Sequence, residues 1–290
     1  MNEYEKMNIQ WYPGHMTKTR RQIEADLKQV EAVCELVDAR IPVSSRNPDI
    51  DIICGSKPRI IVLNRMDLAD PVATKKWMSY FKSKGISAIA TDCKTRRGIA
   101  DFTPAARTAC AEKLQRDAAR GMNRPLRVMV VGIPNVGKST LINQISGRKG
   151  AKAENRPGVT RGKQWVTVDA GLQLLDTPGI LWPKFEDLEV GMMLAYTGAV
   201  KEGVIDLEEL ACRLMELLHR FYPQTLTDRY KVDAPEGTPG WELLEMAGRK
   251  RGFLLARGEI NTERMAKVLV DEFRGGKLGK FTLEMPEENV

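Results

Sequence analysis

The chain has 290 residues, 42% of them hydrophobic, a formal net charge of +7 and five cysteines. That much apolar side chain builds the core of one large domain and a smaller one, which excludes disorder as the overall state. Its apolar runs fall short of the ~18 residues of a membrane span, and residues 1–16 lack the apolar centre of a secretory signal, so the expected location is the cytoplasm.

In chain order, the first pattern after the N-terminal tail is helical, over 17–31, with Thr17 as N-cap and Ile23, Leu27 and Val30 at helical spacing. Short apolar strands are expected at 33–37, ending at Asp38, and then at 59–63, 86–90, 127–131 and 172–175, with helices at about 74–84, 101–119 and 139–147. Such alternation predicts an α/β fold with a mostly parallel sheet covered on both faces. From Asp206 onward the pattern is helical only (206–221, 240–247 and 262–273), which divides the chain into a larger unit at 1–205 and a small all-helical one at 206–290. The cysteines Cys34, Cys54, Cys93, Cys110 and Cys212 are scattered, without the paired spacings of zinc sites, and are expected as reduced thiols.

Three motifs carry chemistry. Gly132-Ile-Pro-Asn135-Val136-Gly137-Lys138-Ser139 lies between an expected strand and a helix opening near Thr140, the context of a phosphate-binding P-loop. There the backbone N–H groups and the helix N-terminus surround a β-phosphate, Lys138 reaches the β- and γ-phosphates, and Ser139 is a Mg²⁺ ligand. Downstream, Asp176-Thr-Pro-Gly179 puts a carboxylate for Mg²⁺ at a strand end and a glycine N–H within reach of a γ-phosphate. Between them, Thr160 in Arg156-Pro-Gly-Val-Thr160-Arg161 is either the second hydroxyl on Mg²⁺, in a mobile switch, or part of an ordinary surface loop.

The third motif comes first in the chain. Asn64-Arg65-Met66-Asp67 follows a strand and resembles the Asn-Lys-x-Asp signature of GTPases, with arginine in place of lysine. A carboxylate at Asp67 accepts from guanine N1–H and the N2 amine, donors that adenine lacks at those positions, so GTP and GDP are expected over adenine nucleotides. Asp92-Cys93-Lys94 stands where a base-contacting loop belongs. The base motif thus precedes the phosphate loop, an order obtained by joining the termini of an ordinary GTPase and cutting after its second switch; the sheet survives because domain termini lie close together.

Charge is uneven. Residues 206–290 are net acidic, and the basic excess concentrates in 94–127 and 148–163. These segments are either a polyanion-binding surface or a solvated face.

With Trp11-Tyr-Pro-Gly-His15-Met16 and Asp38-Ala-Arg-Ile-Pro42 added to the nucleotide motifs, nearly the whole chain resembles the circularly permuted GTPases of ribosome assembly. The resemblance implies a P-loop GTPase fold and a monomer acting late on the precursor of the large (50S) ribosomal subunit, in contact with rRNA and ribosomal proteins. It also implies GTP hydrolysis stimulated by that particle and by K⁺. It gives Asn135 a role as K⁺ ligand, against a turn-forming asparagine, and makes His15 a water-orienting catalytic residue, against an anchor for the tail. Ile180, after Gly179, cannot orient water, and His219 is assigned to helix packing. The alternative function is an RNA-binding module switched by nucleotide, with incidental hydrolysis.

Overall fold

The structure is a computed structural model and describes residues 15–147, 164–179, 188–200 and 205–286. Six strands, β1 (Ala32–Asp38), β2 (Arg59–Asn64), β3 (Ser87–Thr91), β4 (Leu126–Gly132), β5 (Gln164–Asp169) and β6 (Leu172–Asp176), form one sheet in the order β3-β2-β1-β4-β6-β5. All neighbours are parallel except β5, which pairs antiparallel with β6 at the edge. Parallel strands end on the same side of a sheet, so the residues after β1, β2, β3, β4 and β6 share one rim whatever their order in the chain.

The period-two pattern divides the strands between two faces. On one, Val33, Met129, Val131 and Leu175 pack with Ile23 and Leu27 of α1 (His15–Leu27) and Ile50 of α2 (Pro48–Cys54); nearby, Val37, Ile61 and Leu63 pack with Trp77 and Phe81 of α3 (Pro71–Ser83). On the other, Cys34, Leu36, Val128 and Val130 meet Phe102 of α4 (Phe102–Ala109) and Leu141 and Ile142 of α6 (Lys138–Ser146).

The helix expected over 101–119 is two. Cys110, at φ −108°, ψ 17°, closes α4 and opens α5 (Ala111–Ala119), which buries no residue. The helix expected over 17–31 already runs at His15 and stops at Leu27, so Thr17 lies inside it and not at the N-cap position. Val30 is buried from the turn that follows, where its apolar side chain serves the core without helical backbone.

The C-terminal unit consists of α8 (Leu207–Phe221), α9 (Pro223–Tyr230), α10 (Gly240–Lys250) and α11 (Thr262–Gly275). Before it, α7 (Leu188–Thr197) packs on α8 and α11, and one apolar cluster runs from the sheet through α7 into these helices. Glu272 of α11 accepts from Tyr230 and pairs with Arg229 and Arg251. His219 does not sit in the apolar core; its Nε2 is 2.9 Å from the Pro235 carbonyl and ties α8 to the loop before α10.

Past α11 the chain returns to the sheet unit. Phe281 N–H donates to Leu68 O, Leu283 N–H to Arg40 O, and Trp77 Nε1 to Glu284 O, while the Glu284 carboxylate accepts from the amides of Val43 and Ser44. Residues 281–284 therefore lie along 39–44 like a short strap.

Candidate nucleotide site

β4 runs into the P-loop at Gly132, where an added Cβ would lie 2.6 Å from Leu36 O of the neighbouring strand, so only glycine lets the loop start this close to β1. Gly137, at φ 104°, closes the loop against Asn64; a Cβ there would lie 2.5 Å from Asn64 Nδ2. α6 then begins at Lys138, with Ser139 and the half-buried Thr140 in its first turn. The Lys138 ammonium is buried and folded back over the loop, donating to Gly132 O (3.0 Å) and Ile133 O (2.9 Å). Burial pushes its pKa down to about 8, against the opposing pull of the Asp176 carboxylate.

β6 delivers Asp176 beside this loop, and Thr177 Oγ donates to Val130 O at 2.7 Å, fixing the end of β6 against β4. Asp176 Oδ2 accepts from Ser139 Oγ at 3.3 Å, whereas its Oδ1 is buried with no hydrogen-bond partner among the described residues. Burial holds this carboxyl above its ordinary pKa, with Lys138 and Ser139 pulling the other way. A buried carboxylate oxygen left bare beside a serine hydroxyl is costly for the protein alone and fits a hard divalent cation, which takes oxygen donors. Gly179 touches the same loop: a Cβ there would lie 2.9 Å from Pro134 Cα and 3.0 Å from Lys138 Nζ.

The base motif grips this loop. Asn64 ends β2 and donates from Nδ2 to Val136 O at 2.7 Å, while its Oδ1 accepts from Thr91 Oγ (3.1 Å) and Cys93 Sγ (3.3 Å). Arg65, in left-handed backbone at φ 60°, donates from Nη2 to Asn135 O at 2.7 Å. Asp67 faces the loop after β3, with Lys94 Nζ 3.6 Å from its Oδ2. In that loop the Asp92 carboxylate is taken up by its own turn, accepting from Lys94 N–H and Thr95 Oγ. Burial pushes the Cys93 thiol up to about 12, so it stays protonated as a donor to Asn64. With the Asp92 carboxylate and the Cys93 thiol engaged, this loop has its backbone and the exposed Lys94 side chain left for a purine.

Asn135, also left-handed at φ 59°, donates from Nδ2 to Gly198 O just past α7, which directs its amide nitrogen toward the helical unit and leaves Oδ1 as the atom a K⁺ would need. Thr160 and the side chain of His15 lie outside the described residues, so the structure brings together Asn64, Arg65, Asp67, the 92–94 loop, 135–140, Asp176 and Gly179, and is silent on those two.

Residues 127–219, from the phosphate-loop strand into α8, match the family described as "50S ribosome-binding GTPase". Ribosome biogenesis GTPase A of Bacillus cereus is 46% identical over 284 residues, covering 97% of this chain and 95% of the relative. The chain belongs to the ribosome biogenesis GTPase A family. Among solved structures, GDP-bound TM YlqF superimposes with a TM-score of 0.68 at 29% identity, over 92% of this chain and 100% of that one. The GNP-bound YlqF from T. maritima gives 0.65 at 29% identity, over 93% and 99%. The fold is thus that of a P-loop GTPase of this family, with its motif order circularly permuted.

Several contacts of this GTPase escaped the sequence. Asp38 and Arg40 form a buried ion pair at 2.8 Å, whose carboxylate also faces Arg65 Nε at 3.8 Å. Arg96 bridges the base loop to α6 by donating to the Gln144 side chain and carbonyl. The string Asp38-Ala-Arg signalled importance, but no spacing rule says that residues two apart in sequence close a salt bridge under the base motif. No described helix is long and apolar enough to cross a membrane, and all five cysteines are free.

Proposed function

We propose that this GTPase is an assembly factor in late maturation of the large (50S) ribosomal subunit, which binds the precursor particle in its GTP state and leaves after hydrolysis. The observation that carries the nucleotide part is the clamp of Asn64 on Val136 O and Arg65 on Asn135 O, which joins motifs in reversed chain order into one site. The ribosomal part rests on family membership and on the match of residues 127–219 to the 50S ribosome-binding GTPase family.

In this reading Asp67 selects guanine through its two acceptor oxygens, with backbone of 92–94 along the base edge. The amides of 135–140 and the Lys138 ammonium hold the phosphates, and the Gly179 N–H meets the γ-phosphate. Ser139, Asp176 and Thr160 hold Mg²⁺, and Asn135 Oδ1 takes K⁺. These cations supply positive charge where the phosphates gain negative charge during transfer. Restrained by the loop, Lys138 then needs no reorganisation to neutralise its share of that charge. His15 is the candidate to orient the attacking water, Ile180 having no group to do so.

The basic 94–127 segment supports contact with rRNA: Arg107, Arg116, Arg120 and Arg124 are exposed on and beyond α4 and α5. The protein acts as a monomer in the cytoplasm. Turnover and co-sedimentation with purified large-subunit precursors test this reading. Particles should raise the rate, more so in K⁺ than in Na⁺, and a non-hydrolysable GTP analogue should hold the protein on them better than GDP does. Equal sedimentation in both nucleotides, with no stimulation, would overturn it.

A further inference from the structure

Arginine stands at 65 where the GTPase signature has lysine, and the two side chains are not equivalent donors. A lysine ammonium is a point charge that satisfies one carbonyl from many directions; a guanidinium is planar, so its grip on one acceptor depends on how the plane is held. Arg65 Nη2 donates to Asn135 O at 2.7 Å, and its Nε edge faces Asp38 Oδ2 at 3.8 Å, an ion-pair distance. Asp38 cannot swing away. Its Oδ1 accepts from Arg40 N–H and Nε, both at 3.0 Å, its Oδ2 accepts from Arg40 Nη2 at 2.8 Å, and its own N–H donates to Ser45 Oγ. Arg40 is itself fully buried, with its guanidinium over the Phe273 ring of α11 at 5.3 Å.

We propose that Asp38 is a positioning residue for nucleotide binding: fixed by Arg40, its carboxylate holds the Arg65 guanidinium in the plane from which Nη2 clamps the phosphate-loop carbonyl of Asn135. Asp38 touches no nucleotide in this role. It sets the distance between the base motif and the phosphate loop, and so the span into which a guanosine nucleotide must fit. The carbonyl it acts on belongs to Asn135, a residue in left-handed backbone, whose side chain is anchored separately on Gly198 O. The bland role for Asp38, neutralising buried Arg40, explains the three Arg40 contacts and leaves the approach of Arg65 Nε unexplained.

The inference rests on the proposed guanine site, and a double-mutant cycle on the full-length chain separates the two. GDP and GTP affinities are measured for wild type, Asp38→Asn, Arg65→Met and the double variant, with turnover for each. Asp38→Asn should weaken GDP and GTP alike by about fivefold, as expected for one charge-assisted contact, with the loss in KM rather than kcat. In the Arg65→Met background the same change should cost less than about twofold, because no guanidinium is left to hold. Leu243→Val serves as the stability control: it thins the packing of α10, outside the Arg40–Asp38–Arg65 chain, and should lower Tm while leaving nucleotide affinity in place. Equal losses from Asp38→Asn in both backgrounds overturn the proposal, as does an affinity loss in Leu243→Val matching that of Asp38→Asn. Should Asp38→Asn fail to fold, Asp38→Glu, which keeps the charge and displaces it by one methylene, carries the same cycle. Wild-type protein that fails to bind GDP, or releases it to ATP, refutes the guanine site and the inference together; tight guanine binding with additive losses refutes the inference alone.

Discussion

Lys138 carries a charge that the fold disfavours and that a nucleotide in the proposed site would favour, which gives a measurable proton linkage. With its pKa pushed from 10.5 to about 8 by burial, the charged ammonium costs the nucleotide-free protein on the order of 3 kcal/mol at neutral pH. The folded pKa lies below the unfolded one. Between about 8 and 10.5 the unfolded chain therefore binds more protons, and nucleotide-free stability should climb with pH in that window. Phosphate anions reverse the preference and restore the proton. GDP binding should then take up close to one proton per site above pH about 8, and its affinity should fall by up to about tenfold per pH unit there. Calorimetry from pH 7 to 9.5, in two buffers of different ionisation enthalpy, reads the uptake directly. Lys138→Met is the control, because it keeps the length of the side chain and removes the titration, while any titration of guanine itself is common to both proteins. Uptake that stays at zero in the wild type, or that is equal in wild type and Lys138→Met, refutes the reasoning.

Three further outcomes follow from particular contacts. Asp176→Asn removes the buried carboxylate whose Oδ1 has no partner among the described residues, and should abolish the Mg²⁺ dependence of GTP affinity and slow turnover about a hundredfold, with GDP binding in EDTA little changed; retained Mg²⁺ dependence would place the cation elsewhere. Asn64→Ala strands the Val136 carbonyl, the Thr91 hydroxyl and the Cys93 thiol together, and should lower unfolding stability by about 2–3 kcal/mol in urea titrations, a loss under about 0.5 kcal/mol counting against the clamp. Ending the chain at residue 280 removes the strap on Leu68, Arg40 and Trp77 and should lower Tm by about 4–8 °C in differential scanning fluorimetry; an unchanged Tm would mean that these contacts contribute nothing net.

Sequence patterning located the strands to within a residue or two because buried parallel strands are short apolar runs with turn residues at their ends, as in Ile60–Leu63 and Val128–Val131. It passed over β5, whose edge position leaves most of its residues exposed, and α7, which is buried on nearly every side and so shows no amphipathic period. The break at Cys110 was equally invisible, since nothing in Ala-Cys-Ala disfavours a helix locally. That Lys138, Ser139 and Asp176 come together was legible because phosphate chemistry fixes the spacing of such motifs, and the structure puts Ser139 Oγ 3.3 Å from Asp176 Oδ2. Asp92 was legible only as a position: its carboxylate closes a turn, and backbone is what remains for a ligand.

By itself the sequence determined the residue types that can hold a guanosine nucleotide and the strand, loop and helix around them, since these depend on contacts a few residues apart. Only the tertiary structure decided that Asn64 lands on Val136, that Arg65 is flanked by Asp38, and that residues 281–284 return to 39–44. Those contacts join residues far apart in the chain, or side chains whose directions the backbone must first set. Their existence depends on the sheet bringing all its parallel strand ends to one rim, which no local propensity encodes.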